Sequence, residues 1–545
     1  GSYGVAHVAR RADEDRYRFV LHTVDDDGPH SVELGEAEVS GLHWPAGSAG
    51  PVLVLRDGTG TALVRFGPTL AETGRVGLPY EVRQAAWSPD GSAVALVARY
   101  AGVAEDPVIA RRLDDRAEGI IRAKREIFTD PEIFELEMKH IFEGNWIYLA
   151  HESQVPEPGD YFTTYIGRQP VVITRDKSGE LHCLINACAH RGAMICRRKT
   201  DNRSTLTCPF HGWTFSNTGK LLKVKDEKTT QYPPQFAKDG SHDLKRVARF
   251  ESYRGFLFGS LNPDVTSLED YLGETKVIID QIVDQAPGGL EVLRGNSSYI
   301  YDGNWKLQME NGCDGYHVSS VHWNYAATMG RRNEEGTKAV DASSWSRSIA
   351  GVYGFDNGHI LLWTNTMNPE VRPIYSHREE IKARVGEVQA DFIVNQTRNL
   401  CLYPNVFLMD QFSTQIRFTR PISVDKTEIS IFCFAPKGES AADRALRIRQ
   451  YEDFFNVSGM GTADDLEEFR ACQQGYAGIT ALWNDLSRGA PLWIDGPDEN
   501  AKRMGIEPLL SGERSEDEGL FVRQHEYWAK VMRKALASER QGAVA

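Results

Sequence analysis

Cys188-Ala189-His190 and, after 17 intervening residues, Cys208-Pro209-Phe210-His211 are the stretch from which the fold is read. A [2Fe–2S] cluster in which two histidines replace two cysteines on one iron needs two donors of each type, brought by two tight loops. In each arm the cysteine is expected to bind one iron and the histidine the other. Neutral imidazoles raise the reduction potential above that of an all-cysteine cluster. Turn-competent residues stand beside each pair, Gly192 in one arm and Pro209 and Gly212 in the other. The same ligand types permit a Cys2His2 zinc site; the short C-x-H spacing and the Cys-Pro-Phe-His-Gly-Trp context favour the cluster. Cys183 and Cys196 have no histidine at either spacing and read as packing residues.

The rest of the cysteine usage agrees with metal rather than disulfide chemistry. The 545 residues carry 8 cysteines, none before Cys183, too sparse for a disulfide scaffold. No export signal is read, so a reducing cytoplasm is expected. Lys and Arg number 62 against 76 Asp and Glu, a net charge of −14 that works against nucleic-acid binding. No apolar run approaches the length of a membrane span.

A second constellation follows at Glu310-Asn311-Gly312-Cys313-Asp314-Gly315-Tyr316-His317 and His322. Two imidazoles and a carboxylate on one face of Fe(II) leave positions open for O2 and substrate. On an ideal helix, residues five apart splay by roughly 140°, so convergence of His317 and His322 predicts a local distortion such as a π-bulge. Asp314, three residues before His317, shares its face. The best source of the carboxylate is the pair Asp464-Asp465; taken alone, that pair reads as a helix N-cap with Glu467 and Glu468 in the following turn.

Composition divides the chain. The first lysine is Lys124, although arginine is common earlier. Residues 1–107 read as a β-rich extension: Val52-Leu-Val-Leu55 and Ala62-Leu-Val64 flank a turn at Asp57-Gly58-Thr59-Gly60, and Trp87-Ser-Pro-Asp-Gly91 enters the strand Val94-Ala-Leu-Val97. Trp44-Pro-Ala-Gly47 weakly echoes the second pattern at a spacing within the ~40–45 residues of a propeller blade. The segment resembles TolB-like propeller blades, and a generic β-rich extension fits equally. No activity is assigned to it. Residues 108–149 are expected to be the helical start of the catalytic domain, with Asp130 as N-cap and Pro131 in the first position. Residues 150–265 are expected to be the cluster domain, of two small antiparallel sheets. Residues 266–545 are expected to form an α+β catalytic domain, with helices at Leu268–Gln285, Ala441–Phe455 and Phe521–Leu536.

From about residue 108 onward the chain resembles the α subunits of Rieske non-haem iron aromatic-ring dioxygenases. Both metal motifs match that family in order and spacing. Several stretches resemble the benzoate 1,2-dioxygenases: Gly144-Asn-Trp-Ile-Tyr-Leu-Ala-His-Glu-Ser153, Asp239-Gly-Ser-His-Asp-Leu-Lys245, His322-Trp-Asn-Tyr-Ala-Ala327 and Asn399-Leu-Cys-Leu-Tyr-Pro-Asn405. Toluate, halobenzoate and anthranilate dioxygenases are alternatives. The resemblance implies a β-rich Rieske domain and a helix-grip-type catalytic domain. It implies Cys188, His190, Cys208 and His211 as cluster ligands, and His317, His322 and Asp465 as ligands of a mononuclear Fe(II). Asp314 matches an aspartate that links an iron histidine to a cluster histidine, here His211, of a neighbouring subunit, and Asn311 a polar residue close to the iron. Cys313 stands where a smaller residue such as Ala is expected.

The implied reaction is cis-dihydroxylation of benzoate with O2. Gly58-x-Gly60 has Leu63 where a dinucleotide fingerprint needs glycine, so electrons are expected from a separate flavin and iron–sulfur NADH reductase. A small β subunit in an α3β3 assembly is implied as well. A Rieske-type electron carrier predicts two irons per chain where the oxygenase predicts about three. An interaction protein with a structural zinc domain predicts a colourless one.

Overall fold

The computed structural model describes nine strands between Val5 and Tyr100, then residues 121–226, 232–335 and 348–542. The chain divides into two compact units, Gly1–Pro107 and Val108–Ala545. In the first unit the described strands pair antiparallel in sheets of three, four and two strands. The strand Val52–Asp57 pairs with Gly60–Phe66, with Asp57 opposite Gly60, as expected of a tight hairpin. One of these sheets runs from Glu38 to Leu78 and has four strands. The segments 44–47 and 88–91, on which the blade-like reading leans, lie outside the described residues.

The second unit is built on antiparallel pairing. Its largest sheet has ten strands, with Lys426–Pro436, Thr414–Ser423, Val406–Asp410, Gln396–Leu402, Ile360–Asn365 and Ala350–Gly354 in sequence across its middle. Gln396–Leu402 and Val406–Asp410 are buried almost throughout, because both faces are covered; such strands lose the polar–apolar alternation of a half-exposed sheet. On one face Tyr148 meets Phe418 and Phe162 meets Phe432, at ring distances of 5.8 and 6.2 Å. On the other, Arg417 bonds to Gln308 of the Trp305–Asn311 helix and to Thr462 of the Thr462–Tyr476 helix.

Residues 147–260 form three small antiparallel sheets, one more than expected. One has four strands between Asp160 and Asn202, and a second has three between Leu206 and Lys223. The third joins the two ends of the segment, Ile147–His151 beside Phe256–Ser260 and Arg249–Tyr253. That pairing closes an inserted domain at its base.

Asp130 caps the helix Pro131–Glu137 by accepting from the N–H groups of Glu132 and Ile133. Glu137 at its end is wholly buried and accepts from Lys306 Nζ at 2.6 Å, Trp528 Nε1 at 2.6 Å and Trp305 Nε1 at 2.8 Å. This one carboxylate ties the start of the unit to the Trp305–Asn311 helix and to the last helix, Gly519–Gly542. The helix expected at Leu268–Gln285 is two, Leu268–Leu272 and Thr275–Val283, parted by Gly273 at φ 50°. Glycine adopts this positive φ without strain, and the Gly273 N–H closes the first helix by bonding back to Glu269 O at 3.0 Å.

Candidate active site

The two cluster-type loops have the same backbone plan. Gly192 N–H donates to Cys188 O at 2.8 Å and Gly212 N–H to Cys208 O at 3.0 Å, with φ of 72° and 71° that glycine alone adopts without strain. Each five-residue turn returns the chain sharply, so Cys188 and His190, and Cys208 and His211, emerge in matched pairs. The cysteines are buried in a core with Trp213, Phe215 and Leu184, and the histidines lie toward solvent. The imidazole rings of His190 and His211 are 4.7 Å apart, and His190 stacks on Trp213 at 4.9 Å. Burial raises the Cys188 thiol, as does Cys208 beside it, against the pull of the His190 backbone N–H. Burial, then the charges of His190, Arg191 and Lys225, lowers His211, which favours the neutral imidazole a metal requires. Paired inward thiols and paired outward imidazoles fit a cluster with one iron of each kind. Cys183 and Cys196 are buried packing residues, as expected.

The second group comes from three elements. Gly312 brings the chain against the ring of Phe407, where a Cβ has no room, and Asn399 Nδ2 holds the Gly312 carbonyl at 2.8 Å. Gly315 N–H is fixed to Ser515 O at 3.1 Å. His317 then precedes a single turn, Val318–Val321, and His322 breaks the helix at φ −97°, ψ 27° before Trp323–Glu334 begins. The distortion demanded by the five-residue spacing is therefore a helix break and not a π-bulge. It brings His317 Nε2 and His322 Nε2 to 3.2 Å.

Asp465 lies in the first turn of Thr462–Tyr476, whose N-cap is Gly461, so the N-cap reading of the Asp pair does not hold. Its Oδ1 is 3.4 Å from each histidine Nε2, and this buried oxygen has no hydrogen-bond partner. The donor triangle thus has edges of 3.2, 3.4 and 3.4 Å. An ion bonded to imidazole and carboxylate at about 2.1 Å reaches all three corners and keeps one side open. Leaving a buried carboxylate oxygen unbonded is costly, and a cation removes the cost. The set fits a mononuclear iron.

Electrostatics prepare the donors. Burial, reinforced by the positive charges of His317 and Arg417, lowers His322 to about 3, leaving its ring neutral. Burial also works against the charged form of His317, but the hydrogen bond to Asp314 and the charge of Asp465 outweigh it and raise that group. Burial raises Asp465 to about 6, with His317 and Arg417 opposing. Asp314 Oδ2 meets His317 Nδ1 at 3.0 Å, and Asn311 Nδ2 lies 3.4 Å from His317 Nε2. Cys313 is fully buried with its thiol on Asn399 O at 3.1 Å, behind the site and off the cavity wall.

The triad opens into a cavity of about 610 Å³, walled by Phe412, Phe454, Phe455, Leu362, Met409 and the helix Trp323–Glu334. Arg417 also lines it, a residue that sequence reasoning passed over. The available signal was alternation in Gln415-Ile-Arg-Phe-Thr419, which puts polar residues on one face of a strand whose other face is apolar.

Comparison with known proteins agrees with both centres. Residues 145–234 match the Rieske [2Fe-2S] domain, and residues 290–534 match the ring hydroxylating alpha subunit (catalytic domain). The chain is 65% identical over 429 residues to the 2-halobenzoate 1,2-dioxygenase large subunit of Burkholderia cepacia, covering 78% of this chain and 92% of that one. It is 61% identical to the toluate 1,2-dioxygenase subunit alpha of Pseudomonas putida (78% and 94% covered) and 47% identical to the anthranilate 1,2-dioxygenase large subunit of Acinetobacter baylyi (76% and 90%). Among solved structures, naphthalene 1,2-dioxygenase from Rhodococcus sp. bound to indole superposes with a TM-score of 0.65 at 28% identity, over 76% of this chain and 94% of that one. Two donor sets of the right chemistry, in a fold shared with these proteins, identify the chain as a member of the Rieske ring-hydroxylating dioxygenase family, an oxidoreductase α subunit with a [2Fe–2S] cluster and a mononuclear iron.

Proposed function

We propose that this α subunit cis-dihydroxylates benzoate at C1 and C2. Benzoate, O2, two electrons and two protons combine to a cis-dihydrodiol that keeps its carboxylate. The observation that carries this reading is the open-sided triad His317, His322 and Asp465 at the wall of an aromatic-lined cavity. The relatives named for halobenzoate, toluate and anthranilate support the substrate class, since benzoate is the scaffold common to all three.

In this reading Cys188 and Cys208 hold one iron of the cluster, His190 and His211 the other, and the triad holds Fe(II). When bound, the cluster passes electrons singly and the Fe(II) activates O2. Asp314 accepts the Nδ1–H of His317, which fixes the ring and directs the Nε2 lone pair toward the metal. In the α3β3 assembly that the family resemblance implies, the same carboxylate would link His317 to His211 of a neighbouring subunit and so connect the two centres. Asn311 Nδ2, 3.4 Å from the metal-facing Nε2 of His317, is a polar neighbour of the iron position. Phe412, Phe454 and Phe455 hold the ring and exclude water. The partners are a small β subunit in an α3β3 assembly and a flavin and iron–sulfur NADH reductase, and the setting is the cytoplasm.

The test is product analysis with the α subunit co-expressed with its β subunit and supplied with reductase, NADH and O2. Benzoate is expected to give the cis-dihydrodiol acid. Catechol from anthranilate, with benzoate untouched, would transfer the assignment to the amino acid substrate. Inertness toward every aromatic acid would end it.

A further inference from the structure

Among the described residues, five cationic side chains of lysine or arginine are buried: Lys306, Arg372, Arg398, Arg417 and Arg447. Four have a carboxylate beside them. Lys306 pairs with Glu137 at 2.6 Å, Arg372 and Arg398 share Asp410 at 3.0 and 3.3 Å, and Arg447 meets Glu439 at 2.5 Å. Arg417 is the exception. It is 3% exposed and forms no ion pair with any described carboxylate. It has two long hydrogen bonds to neutral oxygens, Gln308 Oε1 at 3.3 Å and Thr462 Oγ1 at 3.4 Å, and its buried Nε has no partner.

A guanidinium does not discard its proton on burial, so a missing counter-charge is expensive. The charge of Arg417 acts on Asp465 without pairing with it, and an Asp465 that holds iron already has its charge offset. Arg417 lines the triad's cavity, faces the Phe455 ring at 5.9 Å and acts electrostatically on His322 as well. It therefore stands beside the reacting site with its positive charge uncompensated.

The chemistry supplies the complement. Oxidation at C1 and C2 includes the carbon that bears the carboxylate, so whatever binds that carboxylate must adjoin the metal ligands. Entering a cavity strips the carboxylate of water, a loss that a buried donor cation offsets well. The cavity's other guanidinium, Arg331, is exposed and bonds to Thr328 at 3.3 Å, where solvent screens it. We propose that Arg417 binds the carboxylate of the aromatic acid and thereby sets C1 and C2 against the His317–His322–Asp465 site. The proposal rests on the aromatic-acid reading above and adds a residue that determines specificity.

The experiment compares benzoate with benzamide, a neutral analogue of the same shape, in holoenzyme of wild type, Arg417→Gln and Arg417→Lys. KM comes from O2 uptake and dissociation constants from calorimetry. Truncating one partner of a buried charge pair is expected to raise the benzoate KM and dissociation constant by at least roughly 30-fold in Arg417→Gln. Benzamide should change little, and Arg417→Lys should recover part of the benzoate affinity. A purely structural role predicts that both ligands weaken together, and that result, or an unchanged benzoate KM, overturns the proposal. If Arg417→Gln does not fold, the wild type and Arg417→Lys decide: equal affinity of wild type for the two ligands, or a preference for benzoate that Arg417→Lys leaves untouched, overturns it. A wild type inert toward all aromatic acids removes the substrate reading itself, a failure distinct from those of Arg417.

Discussion

Asp314 is the residue at which the two-centre reading is most exposed to test. Its Oδ2 lies 3.0 Å from His317 Nδ1 and its Oδ1 accepts the Tyr316 N–H at 2.7 Å. With side chains 25% and 17% exposed, the Asp314–His317 contact is partly desolvated. A hydrogen bond to a charged group in such a setting is worth about 1.5–3 kcal/mol. If Asp314 only orients His317, Asp314→Ala should weaken iron binding by roughly 10–100-fold, the usual effect of removing a carboxylate behind a metal-bound histidine. Saturating the protein with iron should then restore turnover. If Asp314 also connects the centres, the iron-saturated variant should still lose most coupled product formation while both iron signals persist. Asp314→Asn separates geometry from charge, because its amide oxygen keeps an acceptor for His317 without the negative charge. The assays are iron per chain, the visible spectrum of the cluster and product formed per NADH. Full turnover by iron-saturated Asp314→Ala refutes the connecting role, and undiminished iron affinity refutes the orienting one.

Two further outcomes follow from the same geometry. Asp465→Ala should lose the mononuclear iron and leave the cluster spectrum intact, since the cluster loops draw on none of its contacts; unchanged iron stoichiometry would move the ligand elsewhere. His359 is buried as a neutral ring, its Nε2–H donating to Tyr271 O at 2.7 Å and its Nδ1 accepting the Tyr403 N–H at 3.0 Å, and burial lowers it from 6.5 to about 4. Its contribution to stability is present above pH 6.5 and is lost as pH falls toward 4, because the unfolded chain binds the proton first. That difference is worth about 3 kcal/mol, so urea midpoints should fall over this range, and less steeply in His359→Gln; parallel curves would show that this ring does not govern the acid limb.

The cluster loops were legible in the sequence because each is local. C-x-H and C-x2-H, with Gly192 and Gly212 behind them, contain within five residues both the donors and the turn that aims them. The cap at Asp130 was legible for the same reason. Asp465 was not, taken alone: its role comes from packing Thr462–Tyr476 against a helix break more than a hundred residues earlier, and its local context reads as a helix start. The spacing of His317 and His322 required a distortion but could not specify a break, which depends on how Gly312 and Gly315 are held by Asn399 and Ser515. The third small sheet escaped because its strands come from opposite ends of an insertion. The split at Gly273 had a local signal, a glycine after a short helix, which the apolar residues on either side of it obscured.

Arg417 and Asp465 also bear on why such a site would prefer an acid to a neutral arene. The two elements that carry them are joined where Arg417 donates to Thr462, so the cation and the iron's carboxylate hold a fixed relation. With Fe(II) bound, one carboxylate leaves a net positive metal site, and Arg417 adds a second positive charge in the same low-dielectric cavity. Asp314, behind His317, offsets one of them. An aromatic acid brings the other negative charge to the place where it is lacking, whereas a neutral ring leaves the excess buried. On the proposed substrate reading, preference for the acid arises in the charge balance around the metal site and not in the size of a cavity of about 610 Å³, which has room for more than one ring substituent. Substituents on the ring should accordingly alter rate and position of attack more than they alter the requirement for a carboxylate.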